Sequence, residues 1–542
     1  MKLQVLIRGS ELACLSACAM GFAPQFTEQP QRSSNKNSIT SSCGTSRIPS
    51  TTTAIHSSPS FIETASIDIS ESAPRDIASM EQWATQYGIQ RADSFRLAQD
   101  TTGRDVYATT NQDLPAETPV LYVPASLILS SNKAMAELKG PQMFEAENSL
   151  VSNGAETEMR HWYLMLKVLK EVQDGRSSPW FHWLNSLPRH YSNAVAMTDF
   201  CLSCLPPLMK KLTSEEKENQ HRLSLQSIQS VPFLEEHIRN DPDLCRWAYQ
   251  VVYTRAVETD DGDLRIVPMA DYFNHGSQDW PEIASSYDDA GNYYAYSQID
   301  VPAGSPLRFQ YSDPRNPSHL MARYGFLDEE CPATYCKLLP PAINQDMIDL
   351  GYSHDRMLFY RNGEVADEVW DIFLYQHLSA TDLDDQQSLM RAHRTGDYDT
   401  KLALHNKHYG ATSAALLEHV DGFIEEIDRV IRKAETIGVS DPNSIYIKYE
   451  HPRLPLIHRH NLFVKETFQS VRDKYSSSGG EEDGGVNWRE ATRVTVEECD
   501  EMECAIAECA LDLFGNWLCE GGLGNHPDGS ERPKTQRVVA SQ

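Results

Sequence analysis

The pattern of hydrophobic and polar positions changes character along the chain. From 95 to 129, short β-rich runs alternate with turn signals and predict strands. Over 131–245 a helical period replaces them, and EMRHWYLMLKVLKEV places Trp162 and Leu166 on one face. Strand-like runs return between 264 and 311. This order predicts a sheet that is interrupted by a helical insertion and completed from distant sequence.

The chain after about residue 340 has mostly helical periodicity. TSAALLEHVDGFIEEIDRVIRKAE predicts a helix with hydrophobic residues on one face, namely Leu416, Val420, Phe423, Ile427 and Val430. Thr495 and Glu498 have the spacing of a capping box and predict a second helix that continues through Trp517. The predicted fold class is therefore α+β, with an all-α region at the C-terminal side.

Composition narrows the possible functions. With 542 residues the chain is too long for one core, which predicts two or three domains. The formal net charge of −29 argues against non-specific nucleic-acid binding, because such a surface repels phosphate. The same charge suits a basic, lysine-rich protein substrate, although a solubilising surface explains it equally well. The sequence contains no apolar run of about 18 residues, so no membrane span is predicted.

The first 62 residues differ from the rest. Lys2 and Arg8 precede a short, mildly apolar stretch, and no Asp or Glu occurs from Gln29 to Ile62. A basic segment rich in Ser and Thr is typical of transit peptides, and this one resembles the two-part plastid presequence of algae with complex plastids. The prediction is a plastid protein. A disordered tail on a cytoplasmic protein is the alternative.

The stretch PMADYFNHGSQDW holds Asp271, Asn274 and His275 within five positions. Asp271 and His275 could share a metal, but no third ligand stands at a recognisable spacing. A hydrolytic nucleophile lacks support, since no GxSxG elbow or similar signature stands out. The third possibility is that Asn274 and His275 bind backbone and ligand edges where chain segments cross, because both supply donors and acceptors.

A series of motifs resembles the SET domain of the Rubisco large-subunit lysine methyltransferase branch, which includes the actin-histidine methyltransferase. In RWAYQVVYTRAV, LRIVPMADYFNHG and VPAGSPLRFQYSDPRNPSHLMARYGF, the motif positions are Thr254–Arg255, Pro268 with Asp271, Asn274 and His275, Gly304 with Tyr311, and Tyr324–Gly325–Phe326. The resemblance covers about residues 80–335, and the ordered series is more specific than any one motif. It implies a β-rich SET domain with a pseudoknot.

The resemblance also implies a cofactor, S-adenosylmethionine, and roles for particular residues. Tyr311 carries over as the catalytic tyrosine. The implied cofactor contacts are Asn274, His275, Asp271, Arg255, Gly103 and, with a gap in the match, Glu171. Phe273, Tyr324 and Phe326 would line the substrate channel, although each is equally plausible as a core residue. No metal is expected.

Two positions depart from the family pattern. The family's G-x-G is Gly103–Arg104–Asp105 here, and the Gly after the catalytic tyrosine is Ser312. The second Gly lets the backbone approach the cofactor. Asp105 could instead meet a polar edge of the cofactor or weaken its binding.

The predicted function is a methyltransferase that modifies lysine on a non-histone protein, such as Rubisco or another plastid enzyme. A histidine acceptor is the alternative, as is a SET-type module that binds peptides without turnover. The predicted segments are a presequence over 1–62, a SET domain over 77–335, a helical substrate-binding domain over 340–525 and a tail over 526–542. A monomer is expected.

Overall fold

The protein is described here from a computed structural model. It describes residues 66–100, 104–224, 227–276, 281–311, 317–331, 333–335, 343–353, 356–441, 443–476, 509–511 and 517–519. These residues form two compact units. The first takes the described residues of Met1–Met197, Lys211–Ser312 and Met321–Phe326, and the second those of Thr198–Lys210, Asp313–Leu320 and Leu327–Gln542.

Short strands are the framework of the first unit. In chain order they are β1 Gln90–Arg91, β2 Phe95–Gln99, β3 Val106–Thr110, β4 Pro119–Val123, β5 Leu129–Ser130, β6 Val257–Glu258, β7 Leu264–Ile266, β8 Asn274–His275, β9 Ile283–Tyr287, β10 Tyr293–Ser297 and β11 Arg308–Phe309. Strands β1, β4, β10 and β9 form an antiparallel sheet in that order, and β2 pairs with β3. A third sheet has the order β5, β7, β6.

Helices fill the sequence between β5 and β6. They are α2 Ser131–Leu138, α3 Phe144–Ser152, α4 Met159–Asp174, α5 Phe181–Leu184, α6 Asp199–Ser203, α7 Pro207–Ser224, α8 Glu236–Arg239 and α9 Pro242–Arg255. Helix α1, Ile77–Gln86, precedes the strands, and α10, Pro317–Tyr324, follows them. The predicted α+β fold with a helical insertion is confirmed. Strand β4 precedes the helical insertion and β10 follows it. Because these two strands pair in one sheet, the chain segments on either side of the insertion lie next to each other.

The helical stripe predicted for α4 is part of the first core. Trp162, Tyr163, Leu166 and Leu169 are fully buried there. Helix α9 buries Trp247 and its neighbours in the same cluster. Burial of a large apolar side chain contributes about 1.5–3 kcal/mol, so these two helices hold the insertion against the strands.

The second unit is mainly helical. Besides α6 and the first parts of α7 and α10, it contains β12 Ala333–Tyr335, α11 Gln345–Asp349, β13 Leu358–Tyr360, α12 Asp367–Thr381, α13 Leu383–Thr395, α14 Tyr398–Glu435 and α15 Leu454–Ser476, with a π-helical turn at Tyr446–Glu450. Helix α14 is 38 residues long and begins where the Asp397 side chain accepts from the Thr400 N–H. Within the described part of the chain, no helix is long and apolar enough to cross a bilayer.

Two details differ from the sequence-based expectations. Ile424 and Ile431, rather than Phe423 and Val430, continue the buried stripe of α14 after Val420. The predicted positions repeat every 3.5 residues, whereas the helix has 3.6 residues per turn. The predicted stripe therefore drifts around a long helix, and the buried position moves by one residue. The helix predicted behind Glu498 lies mostly outside the described residues, and the pieces that are described, β14 Cys509–Leu511 and β15 Trp517–Cys519, pair as antiparallel strands.

Candidate active site

Two distant segments of the first unit meet in a parallel pairing of β8 with β11. Asn274 is opposite Arg308, and His275 is opposite Phe309. The Gly276 N–H extends the ladder by donating to the Phe309 carbonyl at 3.1 Å. The stretch that begins PMADYFNH and the stretch that ends in Tyr311 therefore lie side by side.

Tyr311 is held at the end of this pairing from two directions. Its backbone N–H donates to Nδ1 of His275 at 3.1 Å, and its hydroxyl donates to the Phe273 carbonyl at 2.8 Å. Burial raises the pKa of the Tyr311 hydroxyl well above its usual value, against the opposing pull of the Arg255 guanidinium. The hydroxyl is consequently protonated at neutral pH and acts as a hydrogen-bond donor.

A buried ion pair lies next to this pairing. Nε of Arg255, at the end of α9, is 3.3 Å from Oδ2 of Asp271, whose side chain is 1% exposed. The same oxygen accepts from Nε1 of Trp183 at 3.2 Å. Burial raises the pKa of Asp271, with Arg255 opposing the rise. The other oxygen, Oδ1, is buried without a hydrogen-bond partner in the structure.

Aromatic side chains surround Tyr311. The rings of Tyr324 and Phe326 have centroids 4.8 and 6.3 Å from the Tyr311 ring, and Phe326 lies 5.7 Å from the His275 ring. Gly325 between them has φ +83°, and a Cβ there would come within 2.4 Å of the Asn193 nitrogen. A glycine is therefore required at this close approach.

Phe273 occupies a different environment from the other two predicted channel residues. Its ring is fully buried and packs edge-to-face with Phe95 and Phe309, at centroid distances of 6.2 and 6.4 Å. What Phe273 brings to Tyr311 is its backbone carbonyl, not its ring.

The remaining predicted residues fall in three places. Asn274 donates through Nδ2 to Oδ2 of Asp105 at 3.0 Å. Glu171 lies in α4, where its Oε1 is 2.9 Å from Nζ of Lys167, and its cofactor role stays a prediction. Gly103 and Ser312 lie outside the described residues.

Three residues near the site were not singled out from the sequence. Trp183 contacts Asp271, and the Tyr272 hydroxyl donates to Oγ of Ser186 at 2.7 Å. Arg75 donates to the Ser186 and Arg104 carbonyls at 2.7 and 3.0 Å and lies over the Tyr272 ring. The aromatic block SPWFHWLNSLP was the signal in the sequence that could have pointed to Trp183. A buried carboxylate needs nearby hydrogen-bond donors, and the indole N–H of Trp183 is such a donor for Asp271.

The geometry identifies a buried polar cluster with a fixed tyrosine hydroxyl. Among the described residues, no group of three His, Cys, Asp or Glu is placed to hold a metal ion. Asn274, His275 and Oδ1 of Asp271 offer polar contacts to a ligand, and the Tyr311 hydroxyl oxygen offers an acceptor next to aromatic walls. This arrangement can bind a polar ligand and orient a second group beside it.

No family model matches the chain, and neither does any curated protein. Solved structures with a similar fold exist. One is the SET domain of LSMT bound to lysine and AdoHcy, with a TM-score of 0.56 and 17% identity over 80% of this chain and 98% of that chain. Another is Rubisco LSMT bound to sinefungin and monomethyllysine, with a TM-score of 0.55 and 17% identity over 80% of this chain and 99% of that one. The protein thus has the fold of LSMT, with a SET-like strand core and a helical C-terminal region.

Proposed function

We propose that the protein is an S-adenosylmethionine-dependent protein-lysine N-methyltransferase that acts on a non-histone protein. The observation that carries the proposal is the β8–β11 pairing, which sets the Tyr311 hydroxyl on the Phe273 carbonyl. The similar structures add support, because they hold AdoMet, AdoHcy, lysine or monomethyllysine.

The residues around the pairing fit such a cofactor. S-adenosylmethionine, when bound, supplies a methyl group that its own sulfonium activates. Asn274 and His275 offer side-chain and backbone groups to its polar edges, and Asp271 has a buried oxygen with capacity for a further hydrogen bond. Arg255 fixes Asp271, so the cluster is preorganised. Gly103 and Glu171 complete the proposed contacts.

The acceptor amine must be neutral to act as a nucleophile. A free lysine has a pKa of about 10.4, so the surroundings have to disfavour the ammonium form. The rings of Tyr311, Tyr324 and Phe326 form apolar walls that raise the cost of a charge. The Tyr311 hydroxyl, protonated and fixed, orients the acceptor, and the Phe273 carbonyl offers weak C–H···O contacts.

The test uses tritiated S-adenosylmethionine with a cell extract. The wild-type protein labels an acceptor protein, and Tyr311→Phe lowers labelling by at least about 100-fold, because it removes the fixed hydroxyl that orients the acceptor. Tyr475→Phe is the matched control, since it removes a hydroxyl from a buried tyrosine of the second unit, and it keeps wild-type labelling.

The labelled residue decides between acceptors. Hydrolysis of the labelled protein to amino acids gives methyllysine if the proposal is right, and methylhistidine would redirect it to a histidine acceptor. S-adenosylmethionine binding without labelling in any extract would instead favour a non-catalytic peptide-binding module.

We further propose that residues 1–62 direct this enzyme to plastids and that its substrate is a plastid protein such as Rubisco. The absence of acidic residues from 29 to 62 supports the first part. A fluorescent protein fused behind residues 1–62 should accumulate in plastids, and a diffuse cytosolic signal would contradict this.

A further inference from the structure

Asp105 is a carboxylate that the proposed reaction does not require, yet it lies beside the site. It directly precedes β3, and its Oδ2 accepts from Nδ2 of Asn274 at 3.0 Å. Asn274 directly follows Phe273, whose carbonyl holds the Tyr311 hydroxyl. Asp105 is therefore linked to the Tyr311 hydroxyl through the Asn274 side chain and the Phe273 carbonyl.

The position of this carboxylate is itself fixed. The Asp105 N–H and the Arg104 N–H both donate to Oδ1 of Asp100, at 3.2 and 2.9 Å. The Arg104 carbonyl accepts from the Arg75 guanidinium. The backbone of Arg104 and Asp105 is thus held by Asp100 and Arg75, so the negative charge of Asp105 stays near Asn274.

Asp105 is one of the charged groups that act on the Tyr311 hydroxyl. Burial raises the pKa of this hydroxyl, Arg255 opposes the rise, and Tyr324, Asp105 and Asp271 add to it. Arg255 is engaged with Asp271 at 3.3 Å, whereas Asp105 contacts the neutral amide of Asn274. The Asp105 carboxylate is therefore a negative charge near Tyr311 that Arg255 does not pair with, and it favours a cation close to the hydroxyl.

We propose that Asp105 is a specificity-determining residue that makes the site prefer the sulfonium form of the cofactor over its thioether product. The inference rests on the proposed function. Methyl transfer beside Tyr311 requires the sulfonium cation close to that hydroxyl, and transfer leaves S-adenosylhomocysteine, which has lost this positive charge. The Asp105 carboxylate attracts the first compound more than the second, so the site releases its product and resists product inhibition.

The test measures binding, not turnover. Dissociation constants for S-adenosylmethionine and S-adenosylhomocysteine are determined by calorimetry on the full chain. Asp105→Asn removes the charge but keeps an oxygen for the Asn274 amide, so it isolates electrostatics from the hydrogen bond. We expect S-adenosylmethionine to bind about threefold to fivefold more weakly to D105N, with S-adenosylhomocysteine binding unchanged, as for a partly exposed ion pair.

Two controls accompany this variant. Asp105→Glu keeps the charge and should keep the preference. Asp300→Asn neutralises another exposed aspartate, whose Oδ1 accepts from the Ala116 N–H at 2.8 Å, and should leave both constants unchanged. Raising the salt concentration should reduce the preference for S-adenosylmethionine over S-adenosylhomocysteine in the wild type, because salt screens the Asp105 charge. The same change should not alter this preference in D105N.

The outcomes separate this inference from the proposed function. D105N could bind both compounds more weakly by the same factor, or bind both as tightly as the wild type. In either case Asp105 does not set the preference, and the inference is overturned while the proposed function stands. A wild-type protein that binds neither compound would overturn both.

Discussion

Asp271 of the first unit and Asp371 of the second both have side chains that are almost completely buried, and their surroundings differ. In the second unit, Asp371 of α12 uses both oxygens: Oδ1 is 2.8 Å from Nε2 of His405 and Oδ2 is 2.6 Å from Nζ of Lys401. Both partners lie on α14. The carboxylate therefore links two helices at two points.

Asp271 of the first unit has both of its side-chain partners on one oxygen. Its Oδ2 has Arg255 at 3.3 Å and Trp183 at 3.2 Å, while Oδ1 has no hydrogen-bond partner in the structure. The pKa values shift in opposite directions. Burial raises the pKa of Asp271, whereas at Asp371 the His405 hydrogen bond and the Lys401 ammonium outweigh burial and lower the pKa.

The difference is that Asp371 has a partner for each oxygen, whereas Asp271 does not. Buried polar atoms in native proteins nearly always have partners, so an oxygen left without one calls for an explanation. For Asp271 we propose that a ligand bound beside Tyr311 supplies the missing contact. Asp371 has no such capacity left, and its role is to join α12 to α14.

The largest expected effect is on stability, from Asp371→Ala. Removing this carboxylate leaves Lys401 and His405 without their shared buried partner, and we expect the free energy of unfolding to fall by about 3–5 kcal/mol. Denaturant unfolding followed by circular dichroism measures it. A loss below about 1 kcal/mol would remove the distinction between the two aspartates.

Asp385→Ala is the matched control in the same unit. Asp385 also contacts a lysine and a histidine of α14, since its Oδ2 is 2.5 Å from Nζ of Lys407 and 2.8 Å from Nε2 of His408. This pair is more exposed than the Asp371 cluster. Exposed ion pairs contribute about 0–1 kcal/mol, so the control should be nearly as stable as the wild type.

The same comparison explains how much could be predicted from sequence. The strands and helices that carry strong local signals were predicted, including β2, β3, α4 and α9. The first half of α14 was not, because its residues 398–411 include many polar side chains and its start depends on the Asp397 cap. Hydrophobic periodicity predicts helices that bury an apolar face better than it predicts helices rich in polar residues. Whether the latter form depends on tertiary contacts.

The site was predictable where its residues form motifs and not where they depend on distant partners. Asn274, His275 and Tyr311 belong to one ordered series, and the structure brings them together. The roles of Trp183 and Asp105 arise from partners 88 and 169 residues away, at Asp271 and Asn274. No periodicity or spacing in the sequence links positions so far apart.

A smaller effect on stability than that of Asp371→Ala is expected from Asp271→Asn. Asn keeps an acceptor for Trp183, and Arg255 retains the Thr254 hydroxyl, so we expect a loss of only about 1 kcal/mol. Binding of S-adenosylmethionine should fall more than stability does. A loss of stability as large as that of Asp371→Ala would show that both aspartates serve the fold.

Acid titration also distinguishes Asp271 from Asp371, because protonation of the two side chains changes the free energy of unfolding in opposite directions. The folded-state pKa of Asp271 is raised, so its ionised form costs stability above that pKa, and the cost disappears as pH falls through it towards the unfolded value of about 3.9. The folded-state pKa of Asp371 is lowered, so its contribution is present above about 3.9 and is lost as pH falls below that value. Acidification from neutral pH should therefore increase the stability of the wild type relative to Asp271→Asn, because only the wild type is relieved of the buried charge. Unfolding curves of both proteins between neutral pH and about pH 4.5 measure this difference. A wild type that loses stability relative to Asp271→Asn on acidification would mean that Asp271 is stabilised as an ion, as Asp371 is.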